Sequence, residues 1–189
     1  MRVREFEHCI ASITPWSVSD LDQRTRRLRE HRMLPTGGRG TNAPEMAPEH
    51  AATLLIALGG AERAVDAHKA VLEYAPMVPK DTNGRDFLGS ETFAEALTDI
   101  LSDGALADRV EEIRICRSWE EATITYRTET GNIERQRYAP ADQPETGYGF
   151  AVRNEIVFGA GFISQVALDL SQPPEDGEWV SDLKMNSGG

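Results

Sequence analysis

The chain predicts an α+β fold, a helical N-terminal unit followed by a small mixed domain of antiparallel strands and flanking helices. Three observations carry this. Apolar residues recur at helical spacing from Val3 to Leu101. They then alternate between Val110 and Tyr138. Turn residues at Thr130-Gly131-Asn132 separate two of the alternating runs. The expected division is residues 1–76, a linker at 77–89, a second domain at 90–172, and a polar, flexible tail at 173–189.

Val3, Phe6 and Ile10, with Cys9 beside them, predict a first helix over residues 3–12. Ile13-Thr14-Pro15-Trp16 breaks it. Ser17 is a good cap for a second helix, with Val18, Leu21, Thr25 and Leu28 on its inner face. Pro35 is expected to end that helix, with Met33 and Leu34 tucked against the core. Gly37, Gly38 and Gly40 make residues 35–47 a permissive loop, and Asn42-Ala43-Pro44 reads as a turn. A third helix should start at Pro48, which suits a first helical position, and end at Gly59-Gly60.

A fourth helix is predicted over residues 61–75, with Ala64, Val65, His68, Val71 and Leu72 inward. Ser90 is the expected cap of a fifth over residues 91–101, with Phe93, Leu97, Ile100 and Leu101 inward. Strands follow around Val110–Ile115, Ala122–Tyr126 and 133–138, with a fourth within 149–158. Phe162, Val166 and Leu170 return to helical spacing.

With 189 residues and 40% hydrophobic content, the chain has material for a real core. The longest apolar stretch, residues 51–58, is about two helical turns, too short for a membrane span. The opening Met-Arg-Val-Arg-Glu-Phe-Glu-His lacks the apolar region of a signal peptide, so a cytoplasmic protein is expected. Cys9 and Cys116 are expected as reduced, partly buried thiols. His8, His31, His50 and His68 lack zinc-ligand spacing, and no metal or cofactor is expected.

Charge is unevenly placed. Residues 1–40 carry eight Lys and Arg against five Asp and Glu, a net of +3, and the remainder carries −14 of the total −11. Local positive charge on a negative body is the footprint of a small DNA-contacting element. Gln23, Arg26, Arg27, Arg29 and Arg32 lie away from the inner face of the second helix, and Arg39, Thr41 and Asn42 follow in the Gly-rich loop. Helix, tight turn, arginine-rich helix, flexible loop and third helix is the order of a winged helix-turn-helix. Its second helix fits the major groove, and a glycine loop can approach a phosphate or the minor groove.

The stretch Thr25-Arg26-Arg27-Leu28-Arg29-Glu30, then Met33-Leu34-Pro35, then Gly37-Gly38-Arg39-Gly40, then the helix from Pro48, resembles the MerR-type winged-helix family. The resemblance spans about a quarter of the chain. Leu28-Arg29 stands where that family has an aromatic pair, and its wing tyrosine and long dimerising helix have no counterpart here. Leu34-Pro35-Thr36-Gly37-Gly38-Arg39-Gly40 followed by Ala51-Ala52-Thr53-Leu54-Leu55-Ile56-Ala57-Leu58 is similar to phage and prophage proteins of alphaproteobacteria. The resemblance implies a sequence-specific regulator binding double-stranded DNA as a homo-oligomer, with a dimer favoured. A small phage packaging subunit and a protein-interaction module are the alternatives. In the latter, the arginines form a solvated face offset by Asp20, Asp22 and Glu30.

No enzyme is expected. Gly37-Gly38-Arg39-Gly40 lacks the Lys-Ser/Thr of a P-loop. Glu111-Glu112 and Glu120-Glu121 are adjacent pairs whose members point to opposite faces of a strand, and they read as solvated edge charges.

Overall fold

Helix α1 (Val3–Ile13) buries Val3, Phe6, Cys9 and Ile10, as their spacing requires. The Arg2 backbone N–H donates to the Glu5 carboxylate at 2.7 Å and closes its first turn. The computed structural model describes residues 1–36, 44–80, 84–143 and 153–172. Helix α2 (Val18–Glu30) is capped by Ser17, whose hydroxyl accepts the Asp20 N–H at 3.1 Å. It stops before Pro35 by a different device. Arg32 adopts φ +60, its N–H donates to Arg29 O, and the Met33 N–H donates to Leu28 O. That is the paired-bond ending normally supplied by glycine. The chain then returns to the N-terminus, where Arg2 and Glu45 form an antiparallel bridge and the Met46 N–H donates to Met1 O at 2.7 Å.

Helix α3 (Pro48–Gly60) is apolar all round and correspondingly enclosed, with Ala51, Ala52 and residues 54–59 buried. It ends at Gly60, as the Gly59-Gly60 pair predicts, with both glycines inside its last turn. They let neighbours approach. A Cβ on Gly59 would sit 2.4 Å from Ile115 Cδ1, and one on Gly60 would sit 2.9 Å from Tyr74 Cδ2.

The fourth predicted helix is shorter and turned. A 3-10 turn (Ala64–Asp66) leads into α4 (Ala67–Tyr74), which buries Ala67, Ala70, Val71 and Tyr74. Val65 and Leu72, expected inside, are 45% and 64% exposed. Tyr74 sets the phase: its ring is buried and its hydroxyl donates to Cys116 O at 2.8 Å. Helix α5 (Phe93–Ser102) is capped by Thr92, which pairs reciprocally with Glu95. Ser90, the expected cap, donates its hydroxyl to Asp99 instead. A short α6 (Gly104–Ala107) follows.

Strands β1 (Val78–Pro79), β2 (Val110–Cys116), β3 (Glu121–Arg127), β4 (Ile133–Ala139) and β5 (Glu155–Gly159) form one antiparallel sheet in the order β1-β4-β3-β2-β5. Helix α7 (Ala160–Ser171) closes the chain onto α5, α6 and the sheet. The α+β class is as expected. Ile113, Ile115, Ile124, Tyr138 and Phe158 point into the helices, and alternate residues form a polar outer face.

The stretch expected as a linker is built into the fold where it is described. Met77 is 1% exposed, Val78 and Pro79 pair with Ala139 and Tyr138, and Asp86 accepts the Tyr138 hydroxyl at 2.5 Å. Buried side chains from Val3 to Ala167 form one contiguous cluster. Arg39, Thr41 and Asn42, and the tail from residue 173, lie outside the described residues.

Gly59→Ala sets a helix-propensity gain of about 1 kcal/mol against an overpacking cost of about 1–3 kcal/mol. The nearest obstacle includes the Ile115 Cβ at 3.0 Å, so the whole residue must move and the cost wins. Denaturant unfolding should show Gly59→Ala less stable than the parent. Gly104→Ala, with nothing within 4 Å of the new Cβ, should show no loss.

Candidate nucleic-acid interface

The arginines of α2 meet three different fates. Arg24 is 2% exposed and wholly internal. Its Nη1 donates to Ala57 O at 3.2 Å and Ala61 O at 3.0 Å, its Nη2 to Glu62 O at 3.0 Å, and its Nε to Asp20 at 2.8 Å. Arg117, just beyond β2, approaches the same helix end from the sheet. Its Nε donates to Gly59 O at 2.7 Å, and its Nη2 donates to Leu58 O and Ala61 O at 2.9 Å. Burial, and then the neighbouring Arg24 charge, push the Arg117 guanidinium below its ordinary pKa. Two guanidiniums thus satisfy five carbonyls at the negative end of the α3 dipole.

Arg26 and Arg27 have the second fate. They project to solvent, paired along the helix with Asp22 at 2.9 Å and Glu30 at 2.8 Å. Gln23 is exposed beside them. Such exposed pairs are worth about 0.3–0.5 kcal/mol, so either guanidinium can leave its partner for a stronger acceptor. Arg29, expected to share the outer face with Arg26, is half-buried, and its positive charge acts on Glu7 of α1. Burial raises the Glu7 pKa, while the Thr25 hydroxyl, donating at 2.5 Å, and Arg29 oppose that rise.

Arg32 has the third fate. It is exposed, and among the described residues it alone combines a side chain with a positive φ. His31 precedes it and stacks on His68 of α4, with ring centroids 3.7 Å apart and planes 2° from parallel. Burial, then the His31 and Lys69 charges, hold the His68 pKa below its ordinary value.

A second charged surface lies on the outer face of the sheet, in a pocket of about 370 Å³. Glu112 and Glu121 correct the reading of the carboxylate pairs as edge charges, while Glu120 is exposed as expected. β2 and β3 are interior strands, so Glu121 is 5% exposed and binds Arg137 and Arg153, while Glu112 binds Arg114. Cys9 and Cys116 are free and buried, with the Cys9 thiol donating to Asp169 at 2.9 Å. Among the described residues, no cluster of His, Cys, Asp or Glu is arranged to hold a metal ion. No helix there is long and apolar enough to cross a membrane. Comparison with protein-family models, curated proteins and solved structures finds no match to this chain.

Arg24→Ala would strip donors from three buried or half-buried carbonyls and should cost at least about 2 kcal/mol. Arg26→Ala should stay within about 0.5 kcal/mol of the parent. Chemical denaturation of the two variants checks the contrast.

A second expectation concerns pH. His68 resists protonation in the fold, so its contribution is present above the unfolded pKa near 6.5 and is lost as pH falls through the folded value. Glu7, with its raised pKa, acts in the opposite sense. The difference in melting temperature between the parent and His68→Gln should therefore narrow, or reverse in favour of the variant, between pH 7 and pH 5. A difference constant across that range would deny His68 this role.

Proposed function

We propose that this is a sequence-specific DNA-binding protein of the winged helix-turn-helix type, acting as a transcriptional regulator in the cytoplasm. Helix α2 is the reading element, presenting Gln23, Arg26 and Arg27, with Arg29 and Arg32 toward its end. Arg39, Thr41 and Asn42 belong to the loop that would approach the backbone.

The observation that carries this reading is Arg32. A glycine at its position would adopt φ +60 without steric cost, whereas a side chain there costs about 1–2 kcal/mol. Strain held by an exposed cation, at the junction between an arginine-bearing helix and a glycine-rich loop, is explained by a contact made outside the protein. The antiparallel return of Glu45 to Arg2 also supports the reading, since it holds the far end of the intervening loop against the helical unit. The +3 charge of residues 1–40 on a chain of −11 would orient that unit toward a polyanion.

Energetics favour exchange over retention at Arg26. Its exposed pair with Asp22 is worth a few tenths of a kcal/mol, against about 1–3 kcal/mol for a bidentate guanine contact.

Selection from a random duplex pool, followed by titration of the enriched duplex at several salt concentrations, tests the proposal. Affinity should fall steeply with salt through counterion release. Arg26→Ala should relax one base position by about 1–3 kcal/mol. Arg32→Gly should bind more weakly to all sequences alike while unfolding at higher denaturant. No enriched motif, or an affinity flat with salt, would overturn the reading.

A further inference from the structure

We propose that the outer face of the sheet binds a phosphorylated small molecule. The strand register assembles the site. Arg137 lies opposite Thr123, and Thr123 lies opposite Arg114, giving one row across β4, β3 and β2. Arg135 stands two residues from Arg137 on the same face, and Arg153 enters just before β5. These groups line the pocket of about 370 Å³, within the range of small-molecule sites and larger than one phosphate fills.

Four guanidiniums in one pocket repel one another. The fold answers with two lining carboxylates, each divided between two arginines. Glu121 takes Arg153 at 3.0 Å on Oε1 and Arg137 at 3.3 Å on Oε2. Glu155 takes Arg153 at 3.3 Å on Oε1 and Arg114 at 3.1 Å on Oε2. This tethering fixes where the arginines stand; with Glu112, which takes Arg114 at 2.7 and 2.9 Å from just outside the lining, four guanidiniums face three carboxylates, on a protein of net −11.

Donors also remain to be used. Among the described residues, Arg135 forms no ion pair or hydrogen bond, Arg153 donates only through Nη1, and the Thr123 hydroxyl is unbonded. A planar fork with free N–H groups beside a hydroxyl is the chemistry that receives phosphate oxygens, and charge-assisted bonds of this kind are about twice as strong as neutral ones.

The inference stands independently of DNA reading by α2. Its test is calorimetric titration of the full chain with pyrophosphate, at constant ionic strength set by sodium chloride. Saturable binding is expected. Arg135→Ala, a change at an exposed side chain, should weaken it at least tenfold with the melting temperature unchanged. Arg153→Gln should weaken it as well, and Arg85→Ala, at an exposed arginine outside the pocket lining, should not. No saturable heat would overturn the proposal, as would equal affinity in the parent and Arg135→Ala. It would also fall if Arg135→Ala abolished duplex DNA binding while leaving pyrophosphate binding intact, since the pocket would then serve nucleic-acid backbone.

Discussion

The C-terminal end of α3 is the point on which the structure depends. A helix apolar on every side can be enclosed, but its last carbonyls must then be satisfied without bulk water. Arg24 reaches them from α2 and Arg117 from the end of β2, and both donate to the carbonyl of Ala61. Removing either cation from water is costly, and several carbonyl acceptors at the negative pole of a helix offset that cost. The same two side chains tie the helical N-terminal elements to the sheet.

This arrangement divides the basic residues by role. Arg24 neutralises a helix end, Arg29 lies toward α1, and Arg26 and Arg27 keep exposed, replaceable partners. Counting arginines in α2 therefore overstates its free positive charge. The sheet shows the reverse case. Its outer face belongs to the acidic part of the chain, yet the lining of its pocket is positive because the register gathers arginines from β2 and β4, with Arg153 entering just before β5.

The periodic elements were legible in the sequence. The alternation of Val110, Ile113 and Ile115, and of Ala122, Ile124 and Tyr126, located β2 and β3 because one face of each strand packs on helices. Short elements were not legible, since the four residues of α6 and the two of β1 are too few to show a period. The burial of Arg24 did leave a signal. It lies three residues after Leu21 and four before Leu28, on the stripe that α2 buries. The Thr92-x-x-Glu95 capping box was likewise written in the chain. The pocket was not, because alternation tells which residues of a strand face outward but not which strand stands next to which. Arg117 carried no pattern at all; it matters through where β2 ends.

The enclosure of α3 bears on how such a chain could be dismantled. Its neighbours include α2 and α4 from the N-terminal part and α5, β2 and β5 from the C-terminal part. A protein cut after residue 76 would leave α3 without half of its cover, and would leave several of its last carbonyls without Arg117. The complementary piece would keep a sheet whose inner isoleucines had lost the helix they pack on. The N-terminal helices are therefore poor material for transplantation into another protein, whatever they contact. Exchange by recombination would have to carry the chain from α1 to α7 as one unit.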